Sequence, residues 1–510
     1  MITNVNPATG EEKILDLDET SPSEVAAICA AAATATTELA RRPLTWRAQM
    51  LRAMAHALET DAESIVASAD FESALGRPRL EGELRRTAFQ LRFFADVVED
   101  TSFLGASIDH AYDSPMGPLP DLRRMRVPLG AVAVFGSSNF PLAFSVPGGD
   151  TASALAAGCG VVVKAHPAHP ATSALCADAL QRAAAEVGAP AGTIDIVYGF
   201  AAGAALIEDP HVSAVGFTGS LAAGRALWQR ANERAVPIPF FGELGSANPL
   251  VVTRAAATER ASEIGAGAAA SMTLGVGQFC TKPGLLFVPT GSDGDALVEA
   301  LVAALEETPS FTMLTSAIAA HFRDGARGIA AHDAITPLVA PPLAEGTTVR
   351  AQLFEVDAAH YARPEAAALR DECFGPLAVV VRYASDDDLY AALAAGTASL
   401  TMSVFSVNDD VDAARLVDYG ATRAGRVIVN GYPTGVGVSW SMHHGGPWPA
   451  TTAPQATSVG AAGIERWLRG LTFQSVPEAL LPVPLTEANP WGVTRRVDGV
   501  LEKRASTDSV

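Results

Sequence analysis

Gly275-Val-Gly-Gln-Phe-Cys-Thr-Lys-Pro283 places a cysteine, Cys280, in a loop of small and turn-forming residues. An alanine-rich run with helical character, 255–274, leads into the loop, and an apolar run, 284–288, leads out of it. Helix, loop and buried strand in succession describe an α/β unit, in which chemistry gathers at the ends of strands. A loop of this composition lets the backbone approach a substrate closely and leaves the sulfur reachable. A reachable thiol becomes a nucleophile once ionised, which calls for a polar or electropositive setting. A free cysteine on its own is more often a small buried hydrophobe.

Two further stretches stand with it, Phe241-Gly-Glu-Leu-Gly-Ser-Ala-Asn-Pro249 upstream and Asp371-Glu-Cys-Phe-Gly-Pro376 downstream. A Glu-Leu-Gly segment, then Gly-Gln-x-Cys, then Glu-x-Phe-Gly-Pro, in that order, resembles the aldehyde dehydrogenase superfamily, and the match runs over nearly the whole chain. The resemblance implies an α/β fold of two domains with parallel-type sheets, plus a small oligomerisation arm. It also implies a homodimer or homotetramer.

Composition agrees with several structural units. At 510 residues the chain exceeds one ordinary core, and 49% hydrophobic residues supply material for two or three. A net charge of −20 argues against nucleic acid or an anionic membrane surface as a partner, since both require basic faces. Five cysteines without a CxxC spacing read as free thiols in a reducing compartment. No apolar run is long enough for a membrane span, and Met1-Ile-Thr-Asn-Val-Asn-Pro7 lacks the pattern of a secretory signal, so a cytoplasmic location is expected.

Along the chain, the first hundred residues read as helical, opened by the capping box Ser21-Pro-Ser-Glu24. Arg85, Arg86 and Arg92 fall on faces that read as solvated, although an arginine here could reach a substrate carboxylate. Residues 105–120 mark a boundary, and 122–127 alternate like an edge strand. From Ala131 short apolar runs alternate with helices, the pattern of a parallel sheet covered on both faces. The alternation restarts after Glu243. The expected division is 1–108 and 127–245 for dinucleotide binding and 246–441 for the catalytic domain. Residues 109–126 and 442–490 form the arm and tail, with 481–490 extended.

Gly219-Ser-Leu-Ala-Ala-Gly224 follows a strand and opens a helix, so backbone N–H groups at Gly219 and Ser220 can face a pyrophosphate. Phe135 and Gly136, where the first strand of the sheet ends, are counted with them. The resemblance adds Lys164 at the adenine ribose, Glu372 at the nicotinamide ribose and Phe374 beside the nicotinamide. Where relatives that favour NAD often carry a glutamate, this chain has Pro167. No carboxylate would repel a 2′-phosphate and Lys164 would attract one, so NADP is expected, with NAD the alternative.

Oxidising an aldehyde this way needs a nucleophile, an oxyanion hole and a base for water. Cys280 is the nucleophile. Asn139, in Gly136-Ser-Ser-Asn-Phe-Pro141, can donate its amide to the oxyanion together with the Cys280 backbone N–H, though a turn role would also explain it. Glu243 is the base, its pKa expected to rise because it follows an apolar run. Lys282 is expected to point away from the sulfur. His443 and His444 read as structural or substrate-lining, without a metal.

Val161-Val-Val-Lys-Ala-His-Pro-Ala-His-Pro170, Asn430-Gly-Tyr-Pro-Thr-Gly-Val436 and His444-Gly-Gly-Pro-Trp-Pro-Ala-Thr451 resemble the α-ketoglutaric semialdehyde (2,5-dioxovalerate) group. That implies a small-molecule aldehyde substrate, 2,5-dioxopentanoate, oxidised to 2-oxoglutarate. A fatty or other apolar aldehyde is the alternative within the class. A CoA-acylating enzyme, a thiol esterase and a non-catalytic binding protein on the same fold are the alternatives outside it.

Overall fold

Ser21 caps the first helix, Pro22–Leu39: its hydroxyl accepts from the Glu24 N–H at 3.3 Å while Glu24 Oε2 accepts from the Ser21 N–H at 2.8 Å. Helices Leu44–Thr60, Ala62–Ser73 and Arg77–Asp100 follow, each burying one apolar stripe that includes Leu51, Met54, Ile65, Leu84 and Leu91. The structure, a computed structural model, describes residues 1–408 and 410–502.

Two sheets carry the rest of the architecture. The first has five parallel strands in the spatial order Phe240–Glu243, Val212–Thr218, Ala131–Phe135, Val161–Lys164, Ile194–Val197. Strand order reverses between Ala131–Phe135 and Val212–Thr218, and the crevice beyond the carboxyl ends at such a switch is where ligands bind. Continuous burial along Ala131–Phe135 and Val161–Lys164 explains their uninterrupted apolar sequence.

The second sheet has seven strands in the order Thr336–Val339, Gln352–Asp357, Leu377–Tyr383, Leu285–Pro289, Pro249–Val252, Ser399–Phe405, Ala424–Val429. All neighbours run parallel except the first pair.

A third, mixed sheet differs from the sequence reading. Residues 122–127 belong to strand Leu122–Pro128, which lies inside the sheet between Leu468–Gln474 and Ala106–Asp109. It is an internal strand because Leu468-Arg-Gly-Leu-Thr-Phe-Gln474 covers its other side. The tail does return to this region, but through Leu468–Gln474 and Arg495–Val497. Residues 481–490 are not extended throughout; Val483–Leu485 is a 3₁₀ turn begun by Pro482, with Pro484 inside it. No helix among the described residues is long and apolar enough to cross a membrane.

Candidate active site

Glu243 ends the last strand of the first sheet, and Cys280 lies in the loop that enters strand Leu285–Pro289 of the second. The turn before the cysteine holds Gly275, Val276 and Gly277 at φ of 58°, 65° and 63°. Gly277 is required by contact as well as by conformation, since a Cβ there would come within 2.4 Å of the Gly375 carbonyl oxygen. Val276, β-branched at positive φ, is held there by its surroundings.

Two amides and one ammonium fix this loop. Asn139 Nδ2 donates to the Gln278 carbonyl at 2.8 Å. Asn248 Nδ2 donates to the Cys280 carbonyl at 2.8 Å and the Lys282 carbonyl at 3.0 Å. Lys282 turns away from the sulfur, as expected, and its buried Nζ donates to the carbonyls of Cys373 at 3.0 Å and Leu377 at 2.6 Å. The loop of Cys280 is thereby tied to the loop of Glu372 and Phe374.

Around the sulfur the structure adds a residue that sequence reasoning left outside the chemistry. His444 Nε2 stands 2.9 Å from Glu243 Oε1 and 3.5 Å from Cys280 Sγ, with its side chain fully buried. Ser458 donates to Glu243 Oε2 at 2.6 Å. One donor atom each from Glu243, Cys280 and His444 lies within 4.8 Å of the others, a set of metal-ligand types that the adjacency of His443 and His444 in the sequence does not reveal. Glu243 and His444 are 201 positions apart, and no spacing in the sequence announces their contact.

These contacts reverse two expectations. Burial pushes Glu243 up, but the charge of His444 and hydrogen bonds from His444, Ser458 and Cys280 outweigh it and hold the carboxylate below its usual range. The setting of Cys280 is acidic and not electropositive. Burial, then the charge and hydrogen bond of Glu243, then Glu372, push the thiol well above its usual range. Cys280 is a partly exposed residue, and the other four cysteines are buried. As it stands the site therefore holds a neutral thiol against an ionised carboxylate, with an imidazole touching both.

Of the residues expected at the cofactor, Phe135, Gly136, Lys164, Gly219 and Ser220 lie at or just beyond the carboxyl ends of three neighbouring strands of the first sheet, and Glu372 and Phe374 lie on a loop before strand Leu377–Tyr383 of the second. Phe135 and Phe217 pack at 6.2 Å between ring centroids, and Lys164 Nζ lies 5.1 Å over the Phe200 ring. Gly203 leaves room there, since a Cβ would sit 3.3 Å from Phe135 and 3.5 Å from the Lys164 stem. Lys164 is 8% exposed, has no hydrogen-bond acceptor among the described residues, and is lowered to about 8 by burial, with Glu19 opposing. Ser220 caps helix Leu221–Glu233, accepting from the Ala223 N–H at 3.3 Å, and Gly219 precedes it. A largely buried lysine without a hydrogen-bond acceptor among the described residues and an exposed helix N-terminus after a neighbouring part of the same sheet fit the ribose and phosphate of a dinucleotide. Glu372 is pushed up to about 7 by burial, with Lys282 and the Ser246 N–H opposing. Phe374 is partly buried in the same loop.

A family model described as the aldehyde dehydrogenase family matches residues 1–448. Alpha-ketoglutaric semialdehyde dehydrogenase 2 of Azospirillum brasilense is 46% identical over 90% of this chain and 88% of its own. Alpha-ketoglutaric semialdehyde dehydrogenase of Acinetobacter baylyi is 39% identical over 89% of this chain and 87% of its own. In fold, the crystal structure of an E. coli NADP-dependent enzyme aligns with a TM-score of 0.77 at 23% identity, covering 92% of this chain and 94% of that one.

Replacing Asn248 by Ala strands the buried carbonyls of Cys280 and Lys282. The expected loss is about 2–4 kcal/mol of stability, read as a lower thermal midpoint. A midpoint equal to that of the parent contradicts the clamp.

Proposed function

Because the chain belongs to the aldehyde dehydrogenase family, we propose that it oxidises 2,5-dioxopentanoate (α-ketoglutaric semialdehyde) to 2-oxoglutarate. Two relatives named for that substrate, each aligned over most of both chains, support the choice. The single observation that carries the chemistry is the contact of Cys280 with the Glu243–His444 pair.

Cys280 Sγ adds to the aldehyde carbon while its proton passes to the Glu243–His444 pair. The pair acts as one base, so a carboxylate too acidic to do this by itself is assisted by the imidazole. The oxyanion is received by the second N–H of Asn139 and the Cys280 backbone N–H. When bound, the nicotinamide supplies the hydride acceptor. Oxidation leaves a thioester on Cys280, and the same pair, once it has released the thiol's proton to solvent, removes a proton from the water that hydrolyses the thioester. Ser458 keeps Glu243 aimed throughout.

Lys164, Gly219, Ser220, Phe135 and Gly136 hold the dinucleotide at the switch point, with Glu372 and Phe374 at the nicotinamide end. NADP is favoured over NAD by the unpartnered Lys164 and by Pro167 in place of a carboxylate. The sheets support the division into 1–108 with 127–245, 246–441, and the arm with the tail. Assembly as a homodimer or homotetramer is supported by two strands at sheet margins, Ala424–Val429 and Leu468–Gln474, whose outer edges are open to pairing. Five free cysteines support a reducing, cytoplasmic location.

Reduced-cofactor absorbance with 2,5-dioxopentanoate tests the reaction. Cys280→Ala is expected to abolish turnover while still binding dinucleotide, and Glu243→Gln to give one burst followed by a rate at least ~100-fold slower. Steady turnover like the parent in either variant contradicts the assignment. A second outcome concerns pH. Glu372 must be ionised to accept from ribose hydroxyls, so dinucleotide Kd should fall as pH rises through about 7. Glu372→Gln should flatten that dependence in a fluorescence titration; a dependence that survives removes Glu372 from the cofactor site.

A further inference from the structure

The helix Arg77–Asp100 carries arginines that the sequence reading left on solvated faces. Arg92 fits that reading, paired with Glu59 at the surface. Arg86 does not. It is partly buried, with its guanidinium 5.5 Å over the Phe144 ring. Phe144 packs against Phe140 at 5.3 Å, and Phe140 against Phe279 at 5.0 Å, the residue before Cys280. Arg86 therefore stands on an aromatic wall that ends at the nucleophile.

Its hydrogen bonds are lopsided. Nη1 donates to the Val436 carbonyl, while Nε and Nη2 are buried and donate to nothing. Those two groups form one edge of the guanidinium, a pair of parallel N–H donors whose spacing matches the two oxygens of a carboxylate. Arg426 grips the same segment, donating to the carbonyls of Pro433 at 2.8 Å and Gly435 at 3.2 Å, and its Nε is likewise buried without a partner.

Arg79 lies 5.2 Å from the ring centroids of both Phe140 and Phe279, on the same aromatic wall, and its Nη2 donates to the Asn139 carbonyl at 2.7 Å. The buried acid facing Arg79 and Arg86 is Glu83, which burial pushes up and whose Oε1 is already occupied by the N–H groups of Leu142 and Ala143. Its Oε2 is buried without a hydrogen-bond partner, and its charge acts on both arginines. Burial lowers both Arg86 and Arg426; at Arg86 the charge of Glu83 and then ionisation of Cys280 oppose it, and at Arg426 ionisation of Cys280 does, which places both within electrostatic reach of the sulfur.

We infer that the free edge of Arg86, supported by Arg426, receives the carboxylate of the substrate and makes the enzyme select short acid semialdehydes over neutral aldehydes. The inference rests on the dehydrogenase reading of the site and adds to it the group that reads the far end of the substrate. A neutral aldehyde leaves those buried donors unpaired, whereas a carboxylate satisfies two of them at once.

The test is the ratio of kcat/KM for 2,5-dioxopentanoate and for succinic semialdehyde to that for pentanal. It is measured on the full chain and on Arg86→Met, Arg86→Lys and Arg426→Met. Arg86→Met should lower the acid-to-neutral ratio by about 30-fold or more. Arg86→Lys should keep part of it, since an ammonium retains the charge without the fork. Equal losses on acid and neutral substrates would make Arg86 a structural residue and overturn the inference. Should Arg86→Met not fold, an unchanged ratio in both Arg86→Lys and Arg426→Met overturns it. A parent enzyme that prefers succinic semialdehyde, with the ratio falling in Arg86→Met, overturns the choice of 2,5-dioxopentanoate and leaves the role of Arg86 standing. A parent enzyme that prefers pentanal overturns both.

Discussion

The hydrogen bond between His444 and Glu243 is the constraint on which the site depends. A carboxylate 4% exposed would ordinarily gain a proton, and one that had done so could not take another from a thiol or a water. Here the imidazole and the Ser458 hydroxyl occupy its two oxygens and keep it ionised. The same carboxylate raises the pKa of Cys280, so the resting sulfur keeps its proton until something accepts it. Carboxylate, imidazole and thiol thus hold one another with the thiol protonated at rest.

That arrangement is possible because the backbone around it is immobilised by buried polar groups used structurally. Asn248 and Lys282 spend their donors on carbonyls, tying the Cys280 loop to the strand before it and to the Glu372 loop. Asn139 joins the same loop to the end of the first sheet. The two sheets thereby present Glu243 from one side and Cys280 from the other, and the two side chains meet through His444 where the loops of two α/β units come together.

Much of this is written locally in the chain. The capping box at Ser21, the buried strands Ala131–Phe135 and Val161–Lys164, and the glycine-rich approach to Cys280 each follow from residues within a few positions. What was not legible depends on partners far away in sequence. The apolar run before Glu243 signals burial and therefore a raised pKa, while the histidine that reverses the sign lies 201 positions on. Residues 122–127 resemble an edge because Leu468–Gln474, rich in Arg, Gly, Thr and Gln, does not advertise itself as a partner strand. Arg86 resembles surface because an arginine in an amphipathic helix usually is surface; only the packing of Phe144 and Val436 reveals its buried edge.

The most direct measurement of the central claim is the alkylation rate of Cys280 by iodoacetamide as a function of pH, followed by peptide mass. The four remaining cysteines are buried and leave this thiol as the one that reports. With the Glu243 carboxylate ionised beside it, the midpoint should lie above the ordinary thiol value of 9.0, and Glu243→Gln should move it down. A midpoint below that value in the parent chain, or an upward shift in the variant, would contradict the account.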